Sequence, residues 1–190
     1  TMVSTVPERL RRHRLKVSEY LRMGEARILP TDARVELIEG EIIDMAPINS
    51  PHSGTVIRLT QWLSMRVSER ALVSVQNPIV LGAYSAPQPN IALLHPQGDF
   101  YTTVHPGPED VLLVIEVADT TLRDDREVKV PLYGAHGIPE VWLIDVESKA
   151  VQVFRAFEGG QYRNVFTVRG AEVLAPVLLP NVRIDVSQLF

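Results

Sequence analysis

The sequence contains no cysteine, which excludes a disulfide framework, a thiolate metal centre and a cysteine nucleophile. No apolar run approaches the roughly 20 residues that span a bilayer. There is no phosphate-cradling P-loop, no dinucleotide-binding glycine fingerprint and no Gly-x-Ser-x-Gly elbow. The five histidines are scattered, with no pair at metal-ligand spacing on one helix. A basic excess is also missing: 19 Lys and Arg stand against 23 Asp and Glu, for a net charge of -4. That balance argues against tight, nonspecific binding of nucleic acid, yet it leaves room for an enzyme that holds DNA through a local patch and a metal ion. The N-terminus has no hydrophobic leader and instead carries Arg9, Arg11, Arg12, Arg14 and Lys16. Residues 1–14 therefore read as a solvated tail, and a cytoplasmic location is expected.

What is present suits one α/β domain over residues 15–190. Hydrophobic residues make up 45% of the chain, enough for a sizeable core. A short helix is expected after Ser18 as its N-cap. Val35 to Ile38 and Glu41 to Met45 read as two strands about a tight Glu39-Gly40 turn. Ser50 or Ser53 caps a helix to about Glu69, with Val56, Leu59, Trp62, Leu63 and Val67 on one face. Short extended segments follow at 72–75, 79–81 and 91–94. Val111 to Val117 is a strongly apolar run, the pattern of a strand covered on both faces. A helix then runs to about Gly137, with Pro131 requiring a late start or a kink. Val141 to Val146 forms another buried strand, and an antiparallel meander is expected over 150–157, 162–168 and 172–174.

Three residues carry candidate chemistry. Glu116 stands near the carboxyl end of the most apolar strand, where a carboxylate must reach solvent or meet a cation and where α/β sheets bind ligands. Lys129 follows on the next helix, close enough in sequence to lean back toward that strand end. Glu36 supplies a second acidic strand position. Two carboxylates and an ammonium suit phosphodiester hydrolysis, which needs a hard divalent cation, an aligned water and charge relief. An ordinary Glu-Lys ion pair accounts for the same pattern without any activity.

Several segments in order carry a resemblance: Glu36-Leu37-Ile38-Glu39-Gly40-Glu41, Ser50-Pro51-His52, Gln88-Pro89-Asn90, Glu116-Val117, Asp125 to Lys129 with Leu132-Tyr133, Gly137 to Asp145, and Leu179-Pro180-Asn181-Val182 to Leu189-Phe190. Together they resemble the Uma2 family of restriction-endonuclease-like proteins, over Leu15 to Phe190. The resemblance implies a PD-(D/E)xK-type fold, with helices flanking a mixed sheet and a C-terminal antiparallel meander. It implies a Mg²⁺- or Mn²⁺-dependent nuclease acting on DNA more than RNA. Asn90 and Glu116 would be the metal ligands, and Lys129 would stand in for the usual triplet lysine, since Ala118 occupies that position. Glu36 would be an auxiliary acid, with His52 and Gln88 flanking. Asn90 departs from the family pattern, which has Asp there. An amide oxygen brings no charge, so metal affinity is expected to fall. The implied alternatives are a weakened nuclease and a degenerate binding or assembly module. Separately from the resemblance, the antiparallel strands of the C-terminal half offer an edge for subunit pairing, so a homodimer is expected.

Overall fold

The computed structural model describes residues 10–190; Arg9 and the rest of the tail before Leu10 lie outside them. The sheet at the centre has six strands in the order β3-β4-β5-β6-β7-β8. These are β3 (Leu72–Val75), β4 (Ile91–Leu94), β5 (Val111–Ala118), β6 (Glu140–Asp145), β7 (Ala150–Glu158) and β8 (Gln161–Arg169). Neighbours are antiparallel except β5 and β6, which run parallel. All eight residues of β5 are buried, because both faces are covered.

From Leu113 onward, period-two alternation sorts those residues between two cores. Leu113, Ile115 and Val117 meet helix α2 (Ser50–Val67) through Val56, Leu59, Leu63 and Val67. Full burial of a leucine such as Leu59 or Leu63 is worth about 1.5–3 kcal/mol. Val114 and Ala118 face the opposite core, with Leu132 and Tyr133. Glu116 shares that second face, where it is the one position of the alternation that is not apolar.

The helix over that face is built in three pieces: α3 (Leu122–Asp124), a π-helical turn (Asp125–Lys129) and α4 (Val130–Ala135). This resolves the difficulty of Pro131, which lacks the N–H that an uninterrupted α-helix needs four residues after Glu127. The π turn changes the hydrogen-bond register just before the proline, which then sits in the first turn of α4. It also leaves Asp125, Lys129 and Tyr133 buried on one side. Such π turns often mark functional sites.

Helix α1 (Val17–Glu25) starts one residue before Ser18. Its N-cap is Lys16, whose N–H donates to Glu19 Oε2 at 2.7 Å. Helix α2 is capped by Asn49 rather than a serine, since Asn49 Oδ1 accepts from His52 N at 3.0 Å. The hairpin of β1 (Val35–Ile38) and β2 (Glu41–Asp44) forms as the sequence indicates. Gly40 at φ 87° turns it, and a Cβ there would sit 2.6 Å from Arg14 Cβ. Arg14 stays exposed but is tethered to this hairpin: its Nε donates to Glu39 O at 2.8 Å and its guanidinium lies 4.2 Å from the Tyr84 ring centre. Residues 79–81 form an isolated bridge, Leu81 to Ser85, and no strand. Strand β9 (Val173–Leu174) leaves the meander to pair with β10 (Ile184–Asp185). Among the described residues, no helix is long and apolar enough to cross a membrane.

Candidate active site

A cleft of about 1530 Å³ opens between the β1–β2 hairpin, the start of α2 and the π turn, over the carboxyl end of β5. Glu36, His52, Gln88, Asn90, Glu116 and Lys129 all line it, so the fold brings together the six residues singled out in the sequence. The centre is Lys129. Its Nζ lies 2.7 Å from Glu116 Oε1 and 3.3 Å from Glu36 Oε2. Glu116 is 2% exposed. It meets its cation inside the protein and does not reach solvent at the strand end.

Each carboxylate is held by further donors. The Tyr133 hydroxyl donates to Glu116 Oε1 at 2.5 Å, the short range of charge-assisted O–H···O⁻ bonds. Asn90 N donates to Glu116 Oε2 across 3.4 Å, a weak contact. Gln88 N donates to Glu36 Oε2 at 3.0 Å, and the Gln88 side chain donates to Val35 O at 3.2 Å. Gln88 thus fastens the hairpin strand to the segment entering β4.

Asn90 is oriented by the backbone. Val117 N donates to Asn90 Oδ1 at 2.8 Å, which fixes the oxygen toward β5 and the amide nitrogen toward His52. Asn90 Nδ2 lies 3.3 Å from His52 Nε2. An amide nitrogen only donates, so Nε2 must accept and the ring proton of neutral His52 sits on Nδ1. That Nδ1 is buried without a hydrogen-bond partner.

Burial dominates the electrostatics. It raises the Glu116 carboxyl to about 7; Lys129 opposes the rise, while Asp125 and Glu36 add to it. Burial alone would lower Lys129, but Glu116, Glu36 and Asp125 outweigh it and hold the ammonium above its ordinary value. Tyr133 is pushed well up by burial and by Glu116, so it stays a donor. Asp125, which accepts from Thr121 Oγ1 at 2.7 Å, is also raised, chiefly by burial. His52 is lowered by burial and by Arg34, against the pull of Val117's backbone and Asp125. It is therefore neutral near pH 7.

Tyr133, Asp125 and Arg34 belong to this site without having been assigned a role from sequence. Tyr133 follows Lys129 by four residues, the spacing of one helix face, and that spacing was the available signal. Asp125 comes inward through the π turn, which residue spacing does not disclose. Across the mouth, Asn49 Nδ2 makes a short hydrogen bond to Asp119 Oδ2, linking the start of α2 to the loop after β5.

Among the described residues, no three His, Asp or Glu side chains come together as a metal-holding group. The oxygens facing the Asn90 end are Glu116 Oε2, which has only its long contact, and Asn90 Oδ1, which has one of two lone pairs spent on Val117 N. One carboxylate and one amide oxygen fit Mg²⁺ or Mn²⁺, which commonly take few protein oxygens and complete their shells with water and phosphate. Two such oxygens alone would make a weak site.

The model of the Uma2 family, described as "Putative restriction endonuclease", matches residues 17–187. The chain belongs to the Uma2 family. Among solved structures it is similar to one titled as a putative nuclease belonging to DUF820, from Anabaena variabilis ATCC 29413, with a TM-score of 0.72. The match covers 93% of this chain and 97% of that one at 18% sequence identity, so it supports the fold. A search of curated proteins found no match. For this Uma2 chain, the match extends across the hairpin, the cleft and the closing β9–β10 segment.

Proposed function

We propose that the cleft is a phosphodiester-hydrolysing site acting on nucleic acid, assisted by Mg²⁺ or Mn²⁺ and weakened by Asn90. The observation that carries this reading is the position of Lys129 between Glu116 and Glu36, over the carboxyl end of β5. Glu116 and Asn90 would hold the cation, and when bound it supplies polarisation of a phosphoryl oxygen and acidification of water. The remaining work falls to side chains of the chain itself. Lys129 places a fixed positive charge where negative charge develops on the phosphoryl oxygens. The proton of the attacking water passes to solvent in the cleft as the new phosphorus–oxygen bond forms and the leaving oxygen departs. Tyr133 and Gln88 orient the two carboxylates.

One observation favours the second reading, a degenerate module on the same scaffold. Asn90 Oδ1 is already engaged by Val117 N, and Lys129 already neutralises part of the charge that a metal would meet. In either case β8 forms the terminal edge of the sheet, and edge pairing there would give the homodimer.

The test is cleavage of plasmid and single-stranded DNA in Mn²⁺ by this chain, Asn90→Asp and Lys129→Ala. Cleavage by the native chain that Lys129→Ala abolishes establishes the nuclease. Cleavage by Asn90→Asp alone locates the deficit in one missing charge. Silence from all three overturns the DNase reading.

A further inference from the structure

Nine Asp and Glu carboxylates line the cleft against four Arg and Lys cations. A polyanionic strand is repelled by such walls unless a cation with donors to spare receives it. Three of the four are committed. Lys129 serves Glu116 and Glu36. Arg12 pairs with Glu41 at 3.5 Å. Arg14 is tied to Glu39 O and the Tyr84 ring.

Arg34 differs from these. Among the described residues it makes no ion pair, and its Nη1 donates to a backbone carbonyl, Ala46 O, at 3.2 Å. That bond fixes the guanidinium while most of its five donors stay unspent. The support is rigid, because Met45 N donates to Arg34 O at 2.8 Å and Val35 pairs with Asp44 at the open end of the hairpin. The charge stands in the same cleft as the candidate chemistry: Arg34 lines it together with Glu116, Asn90 and Lys129.

We infer that Arg34 is the phosphate anchor of the cleft, taking a backbone phosphate of a single-stranded nucleic acid next to the bond at Lys129. This rests on the phosphodiester reading above. A bidentate fork on a planar, always-charged group suits a phosphate better than an ammonium does. A single strand is favoured because its flexible backbone can enter a walled cleft, where a duplex would set two charged strands against acidic rims.

The test is fluorescence anisotropy with a labelled single-stranded oligonucleotide, on the unsubstituted chain as parent, with Ca²⁺ in place of Mg²⁺ to hold back turnover. Adding Arg34→Ala should weaken binding roughly tenfold and flatten the dependence of log K on log salt by about 0.7, one single-strand phosphate contact. Arg34→Lys should recover the salt slope and only part of the affinity. Arg34 is exposed, so all three chains should melt alike; if Arg34→Ala does not, the comparison rests on Arg34→Lys, whose affinity must still fall. Binding by the parent with unchanged affinity and slope in both variants overturns the anchor and leaves the phosphodiester reading standing. No binding by the parent overturns that reading, and the anchor with it.

Discussion

The sheet carries two buried charged centres, and they are built on opposite principles. At the start of β6, Glu140 is 1% exposed and every donor aimed at it is accounted for. Its Oε1 accepts from Trp142 Nε1 and Arg155 Nε, both at 2.8 Å, and its Oε2 accepts from Val177 N at 2.7 Å. One negative charge meets one positive charge, away from the cleft. Toward the carboxyl end of the adjacent parallel strand, Glu116, Glu36 and Asp125 surround the single ammonium of Lys129 and open on a cleft. The first centre pins the β9 region to the sheet. The second holds unneutralised negative charge at a strand end, a state that burial penalises and that a cation would relieve.

The largest effect should come from breaking either ion pair by removing one partner. Glu140→Ala leaves a guanidinium, an indole N–H and a backbone N–H without their acceptor, and should cost about 3–5 kcal/mol in chemical denaturation. Lys129→Ala should cost a similar amount at pH 8 but much less at pH 5, where Glu116 takes up a proton and no longer needs its cation. An equal loss at both pH values would remove the distinction between the centres. A smaller effect is expected from Asn90→Asp, which adds charge to the unbalanced centre. It should lower the melting temperature without metal and give a larger Mn²⁺-induced rise than the native chain shows. The smallest effect is spectroscopic. Nitrogen-15 spectra should place the ring proton of His52 on Nδ1, and Asn90→Ala, which removes the donor to Nε2, should shift the tautomer balance toward Nε2–H.

Much of this was legible in the sequence. The strongly apolar run Val111 to Val117, interrupted by Glu116, announced a covered strand with a carboxylate that needed a partner, and Lys129 proved to be that partner. The hairpin was readable because Gly40 allows a backbone turn that other residues resist. Other features depend on tertiary register. The π turn that brings Asp125 inward follows from how the helix accommodates Pro131 against the sheet, and local propensity offers several solutions to that problem. Asn49 displaced the two serines as the cap of α2 because capping depends on backbone angles at one residue, here set by the loop from β2. The pairing of β9 with β10 joins residues too far apart for alternation to disclose. Arg34 had no signature, since an arginine before a strand is common and its surroundings are supplied by other segments.

The most direct test of the contrast is the unfolding free energy of the native chain and Glu116→Gln from pH 4 to pH 9. The folded carboxyl of Glu116 lies at about 7, above its ordinary 4.5, so the folded state binds the extra proton between those values. Its contribution to stability is full below about 4.5 and is lost as pH rises toward 7. The account predicts that Glu116→Gln gains on the native chain across that window and holds its advantage above it. A difference that stays constant across the window would mean that Glu116 is as fully settled as Glu140, and would contradict the claim that its centre carries unneutralised charge.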